Sequence, residues 1–203
     1  WSIFEDSSQI LFVGTEDGIY KYDRVLKDFV KVNIRHYSNE IVEVKTFIED
    51  ENHNYWIGTY DNGLYIANEN FNYISPVNGK NKWNLNIPAS GIYDIEEVDN
   101  NYWVLTDSGI FVISKNYQLI KNLLPDSLSQ INGANRIRSI SKVNDYTILV
   151  GTEGGLFEYD LIKSEFHTKQ IVNLDASPFV INFVFTIFED NSNTHWIGSN
   201  VNG

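Results

Sequence analysis

The chain has 203 residues, 42% of them apolar and 14% aromatic, which excludes a disordered chain and allows a core whose burial is carried largely by aromatic side chains. A formal net charge of −12 at pH 7 and the lack of any Lys/Arg run exclude a phosphate-tracking surface, and with it nucleic acid as a partner. The absence of cysteine removes disulfides, thiolate nucleophiles and cysteine-based zinc sites together. No apolar stretch is long enough to span a bilayer, so the chain itself is not membrane-embedded. It contains no Met, from which we expect it to start inside a longer polypeptide.

In chain order, one short phrase returns five times. The first copy is Ser2-Ile3-Phe4-Glu5-Asp6, then Leu11-Phe12-Val13-Gly14-Thr15, then Asp17-Gly18-Ile19-Tyr20. The second is Thr46-Phe47-Ile48-Glu49-Asp50, Tyr55-Trp56-Ile57-Gly58-Thr59 and Asn62-Gly63-Leu64-Tyr65. A degenerate third runs Tyr102-Trp103-Val104-Leu105-Thr106 and Ser108-Gly109-Ile110-Phe111, with Leu105 in place of Gly and a shorter Val98-Asp99-Asn100-Asn101 turn. The fourth is Ile148-Leu149-Val150-Gly151-Thr152 with Gly154-Gly155-Leu156-Phe157. The fifth is Thr186-Ile187-Phe188-Glu189-Asp190 with His195-Trp196-Ile197-Gly198-Ser199. From Gly14 through Gly58, Leu105 and Gly151 to Gly198 the spacings are 44, 47, 46 and 47 residues, a repeat of radial or stacked architectures.

Each unit reads as four short strands without a helix. In the second, Val44 to Ile48, Tyr55 to Gly58, Leu64 to Ala67 and Phe71 to Ser75 are the predicted strands. Asp17-Gly18, Asn62-Gly63, Ser108-Gly109 and Gly154-Gly155 supply the positive φ that tight hairpins need. Four antiparallel strands at this period predict an all-β fold, a β-propeller of four-stranded blades over 1–32, 41–77, 91–121, 136–170 and an incomplete 183–203. A β-helix has shorter coils and fewer reversals per unit. Four and a half blades cannot close, so we expect one partial propeller, part of a larger ring of the seven-bladed type. Trp56, Trp103 and Trp196 share one repeat position with Phe12 and Leu149, which marks packing between blades rather than a ligand platform.

The phrase of a Glu-Asp turn, Trp-Ile-Gly-Thr and Gly-Leu-Tyr, carried by Glu49-Asp50, Trp56 to Thr59 and Gly63 to Tyr65, and again by Glu189-Asp190 and Trp196 to Ser199, resembles the propeller repeats of two-component regulators. The resemblance implies the periplasmic sensor region of an inner-membrane-anchored hybrid histidine kinase of the Bacteroides type. In such proteins propellers precede a β-sandwich, a membrane helix and the kinase, and the sensor answers to a glycan fragment. It implies further that the full-length protein is a homodimer and a histidine kinase, whereas this chain carries no catalytic motif and is not an enzyme by itself.

Catalytic readings of the residues are weak. Glu5-Asp6, Glu49-Asp50 and Glu189-Asp190 have the paired carboxyls of a glycosidase, but they recur in every good copy, whereas catalysis needs one unique pair. An Asp that opens a tight turn is needed once per blade. Asp50 to Asn54 begins like a calcium loop but lacks Gly at the sixth position, and the four histidines are scattered, so no metal and no cofactor is expected. Recognition is expected in what does not repeat. The inter-blade segments carry Arg35, His36 and Tyr37, then Lys82 and Trp83, then Asn135 and Arg136, with Tyr60 and Asp61 on a shorter loop of the same face. The arginines suit a carboxylate or sulfate of an acidic glycan. Trp83 either stacks on a sugar ring or pins its long loop against the propeller rim. A scaffold or protein-interaction propeller is the second reading, and a polysaccharide-degrading enzyme the third.

Overall fold

A computed structural model describes residues 2–33, 43–72, 74–77, 83–87, 91–123, 131, 133–172, 178–179 and 181–200. Among them every regular element is a strand. The first sheet is β1 (Ser2–Glu5), β2 (Leu11–Thr15), β3 (Gly18–Asp23) and β4 (Asp28–Lys31); the second is β5 (Val44–Glu49), β6 (Tyr55–Thr59), β7 (Leu64–Ala67) and β8 (Ile74–Pro76). The third is β9 (Ile92–Val98), β10 (Asn101–Thr106), β11 (Gly109–Ser114) and β12 (Leu119–Leu123); the fourth is β13 (Ile137–Asn144), β14 (Thr147–Thr152), β15 (Gly155–Asp160) and β16 (Glu165–Thr168). A two-residue pair, β17 (Ile171–Val172) and β18 (Pro178–Phe179), precedes β19 (Val184–Glu189) and β20 (His195–Ser199). Strands follow sequence order within each sheet, antiparallel wherever register is defined, which is the meander of a propeller blade.

The chain divides into two compact units, Trp1–Val104 with Phe111–Lys121, and Leu105–Ile110 with Asn122–Gly203. In the first, β1 lies beside β5 and β5 beside β9, so the first strand of each sheet meets that of the next, and the sheets pack face to face. One core joins the first two sheets, where Phe12, Phe47, Tyr55 and Phe71 stack with centroids 4.9 to 6.3 Å apart. A second core gathers Trp56, Ile66, Ile92, Tyr102 and Val104 with Val77, Leu85 and Ile87. Each fully buried large side chain contributes roughly 1.5–3 kcal/mol. In the second unit β19 packs on β13 and β14 through Leu149, Leu156, Val184 and Ile187.

The repeated glycine is explained by clearance. A Cβ on Gly14 would lie 2.7 Å from Val44 Cγ1, one on Gly58 2.7 Å from Ile92 Cγ2, and one on Gly151 2.5 Å from Val184 Cγ1. The β-branched residue that opens the next sheet therefore nests on bare backbone. Leu105, which stands in the glycine's place in the third copy, is fully buried.

The hairpins differ in detail from the sequence reading. Gly18, Gly109 and Gly155 have φ of 129°, 120° and 130°, yet each is the first residue of its strand, and the residue before it keeps negative φ. What closes these turns is the preceding threonine. Thr15, Thr59, Thr106 and Thr152 each donate Oγ1 to the carbonyl of Gly18, Gly63, Gly109 or Gly155, at 2.9, 2.8, 2.8 and 3.1 Å. In the third sheet Asp99 and Asn100 both have positive φ, 49° and 62°, which makes the short turn a two-residue type I′ hairpin. The fourth strand of the second sheet starts at Ile74 rather than Phe71, because Phe71 takes φ 54° in the preceding turn.

Gly58→Ala tests the nesting. We expect a loss of about 1–3 kcal/mol in urea unfolding, the usual range for overpacking, and Ile92→Ala added to it should cost less than the two single losses combined.

Candidate functional site

The acidic turns come first, because they decide whether the paired carboxyls are chemistry or scaffold. Asp6 Oδ1 accepts the N–H groups of Ser8 and Ile10 at 2.9 and 2.7 Å, Asp50 Oδ1 those of Asn52 and Asn54 at 2.9 Å each, and Asp190 Oδ1 those of Ser192 and Thr194 at 2.8 and 3.1 Å. The second oxygen binds an aromatic side chain. Trp56 Nε1 donates to Asp50 Oδ2 at 2.9 Å, Trp196 Nε1 to Asp190 Oδ2 at 2.8 Å, and Tyr55 of the second sheet to Asp6 Oδ2 at 2.8 Å. Tyr117 OH also donates to Asp50 Oδ2. These carboxylates are saturated by scaffold donors, so their recurrence has a structural cause. Trp56 is fully buried, whereas Trp196, held by the same bond, is 61% exposed.

Beside Asp50 lies a polar contact that the sequence reading missed. Glu49 Oε2 accepts the Ser7 N–H at 2.7 Å and Glu49 Oε1 the Ser7 hydroxyl at 2.9 Å, while His53 Nδ1 stands 2.6 Å from Oε1. Ser7 belongs to the first sheet and the other two to the second, so the cluster clasps neighbouring blades. Both Ser7 and Glu49 face the same ring nitrogen, which differs from a hydrolase triad, where the carboxylate and the nucleophile sit on opposite nitrogens of the histidine base. Burial works to raise the Glu49 carboxyl, but the bonds from Ser7 and His53 outweigh it and hold it below its ordinary value; the bond to Glu49 raises His53.

The candidates named from sequence are placed as follows. Arg35, His36, Tyr37 and Lys82 lie outside the described residues. Tyr60 and Asp61 sit in the turn between β6 and β7; Tyr60 is 48% exposed, with Lys45 Nζ 5.0 Å from its ring centroid, and Asp61 Oδ1 accepts Asn62 Nδ2 at 2.6 Å. Trp83 is partly buried against the second core and stacked on Tyr117 at 5.8 Å. Tyr117 lies in the turn between β11 and β12, at the strand ends opposite those that carry Tyr60, so the ring reaches down the side of the blades. In the second unit Asn135 Nδ2 donates to the Asp107 carbonyl at 3.1 Å, and Arg136 pairs with Glu153 at 3.0 Å. Burial works to raise Glu153, but bonds from Arg138 and Arg136 prevail and hold its carboxyl below its ordinary value. Tyr60 with Lys45 of β5, and Arg136 with Arg138 of β13 and Glu153, are thus two polar clusters.

No family model matches the chain. Over 75 residues it is 35% identical to histidine kinase P4 of Formosa agariphila, covering 34% of this chain and 6% of that protein. Its fold is similar to that of the extracellular domain of a hybrid two-component system of B. thetaiotaomicron, with a TM-score of 0.65 at 18% identity over 98% of this chain and 31% of that one. It is also similar to PorZ, a surface component of the type-IX secretion system of Porphyromonas gingivalis, with a TM-score of 0.64 at 13% identity over 99% of this chain and 31% of that one. The chain therefore spans under a third of the solved structures it matches here and a small part of the kinase. The propeller fold is established by these likenesses, and the resemblance read from the repeat phrase recurs in them.

The clasp predicts a stability window. Glu49 supports the fold fully above its ordinary 4.5 and loses that support as pH falls through its lowered folded value; His53 supports it below its ordinary 6.5 and loses that support as pH rises through its raised value. The thermal midpoint followed from pH 3 to 9 should fall on both sides, and His53→Gln should remove the alkaline limb while keeping the acid one.

Proposed function

We propose that the chain is part of the extracytoplasmic sensor propeller of a hybrid two-component histidine kinase, a periplasmic module that binds a glycan-derived ligand and passes the signal to a kinase outside the chain. The observation that carries this reading is the blade phrase itself, which recurs in register and falls in a chain similar both to a histidine kinase in sequence and to a two-component extracellular domain in fold. Binding without turnover fits a molecule whose repeated carboxylates are consumed by its turns. In this reading ligand contact falls to the loops that carry Arg35, His36, Tyr37, Tyr60, Asp61, Lys82, Trp83, Asn135 and Arg136. The β-sandwich and kinase modules of the same polypeptide, and a second copy in a homodimer, are its partners.

A second reading, a protein-interaction propeller without a small-molecule ligand, is favoured by the equal likeness to a secretion-system surface component.

Calorimetric titration of the whole sensor region with host and plant oligosaccharides separates the two. The sensor reading expects one glycan class to bind and Tyr60→Ala or Asp61→Ala to weaken it by about tenfold, the scale of a contact residue. If none of the glycans binds, the interaction reading takes its place, and if one binds but is turned over, the chain belongs to an enzyme.

A further inference from the structure

The hairpins that join the second and third strands of the four-stranded sheets share one design, and one of them departs from it. In three, two residues separate the threonine from the glycine whose carbonyl it holds, and that glycine, Gly18, Gly109 or Gly155, is already the first residue of its strand. The second sheet has a longer turn. There Tyr60, Asp61 and Asn62 all stand between Thr59 and Gly63, and Gly63 lies outside β7 with φ 79°. Its carbonyl accepts the Thr59 N–H and Oγ1 at 3.1 and 2.8 Å, while its own N–H donates to nothing among the described residues.

The residue before this glycine is an asparagine, exposed above the buried Gly63. The Asn62 N–H donates to Thr59 Oγ1 at 3.0 Å and its side-chain Nδ2 to Asp61 Oδ1 at 2.6 Å, so among the described residues the side chain is held only by its neighbour. Asparagine is thermolabile, and a following residue without Cβ leaves its nitrogen sterically open to the amide carbon. Among the described asparagines Asn62 alone precedes glycine. The matching pair in the first sheet, Asp17-Gly18, is protected. Bonds from Thr15 and Tyr20 hold the Asp17 carboxyl down to about 2, so it stands as an anion that resists nucleophiles, and Gly18 is fixed in register opposite Thr15. Ser108 and Gly154, at the same place in the third and fourth sheets, have no side-chain carbonyl to attack.

We propose that Asn62 is a site of spontaneous modification by water, its amide being exchanged for a carboxylate through a cyclic imide formed with Gly63. The Gly63 nitrogen bonds to Asn62 Cγ, the Cγ–Nδ2 bond breaks, and Nδ2 leaves as ammonia with the proton given up by the Gly63 nitrogen. Water then opens the ring. Addition at Cγ breaks its bond to the Gly63 nitrogen and leaves aspartate; addition at the main-chain carbonyl carbon of residue 62 breaks that bond instead and leaves isoaspartate. In both, the Gly63 nitrogen regains a proton from water and the new carboxyl ionises. The product sets a second negative charge beside Asp61 in a chain already at −12. In the sensor reading this loop carries the contacts Tyr60 and Asp61, so the charge they present changes as the protein ages.

The folded chain, kept at physiological temperature in mildly alkaline buffer, is sampled over days by ion exchange and by peptide mass mapping. An acidic form should accumulate with release of ammonia, its mass change should map to residue 62, and part of the converted peptide should co-elute with that from Asn62→Asp. Asn62→Gln, whose longer side chain must close a six-membered ring, should lose the conversion at this position while keeping the native thermal midpoint. The proposal is overturned if Asn62 retains its amide in the folded chain, if it converts only after unfolding in urea, or if Asn62→Gln converts as fast, the mark of direct hydrolysis without the ring. None of these outcomes depends on glycan binding.

Discussion

At three places one sheet comes so close to the next that only a glycine fits. Val44 on Gly14, Ile92 on Gly58 and Val184 on Gly151 are the same contact made three times, with less than van der Waals room for any added carbon. The contact sets the second strand of one sheet against the first strand of the next. Threonine next to the glycine closes the hairpin that follows, and so the Gly-Thr pair sets both the approach of the next sheet and the reversal of its own.

At the other end of the same strand the aspartate does complementary work. One oxygen holds two turn N–H groups, and the other holds an indole from its own sheet or a phenol from the next. Unmade, those buried donors would each cost about 1–3 kcal/mol. Because that carboxylate is satisfied by the fold, the aspartate of each Glu-Asp pair serves its turn. Glu49 is turned instead to Ser7 of the neighbouring sheet, which makes the blade interface partly ionic and hence sensitive to pH.

The architecture was legible because its causes are local and repeated. A hairpin needs its glycine and threonine within a few residues, and the central strands are short apolar runs buried along their length and bounded by turns. The interfaces were less legible. That Tyr55 would bind Asp6, or Ser7 would meet Glu49, depends on side chains 49 and 42 residues apart whose pairing appears only once sheets are stacked. Trp83 was legible as an exception to the repeat, but its partner was not, since Tyr117 lies in a turn of the following blade. Arg136 read as a partner for a ligand's carboxylate or sulfate, while in the fold it shares Glu153 with Arg138.

A repeated fold acquires specificity between its copies. Equivalent positions in successive blades need not carry equivalent duties, since a change in one connecting segment alters the cleft beside it without touching the strands. Between the second and third sheets the segment turns inward and buries Leu85 and Ile87, so apolar surface is spent on stability. Between the first and second, aromatic rings of the same register, Phe12, Tyr55 and Phe71, line a cavity. The strands cannot distinguish these cases, because Gly14 and Gly58 make the same contact in both. The difference lies outside them, in connecting segments whose sequences do not repeat.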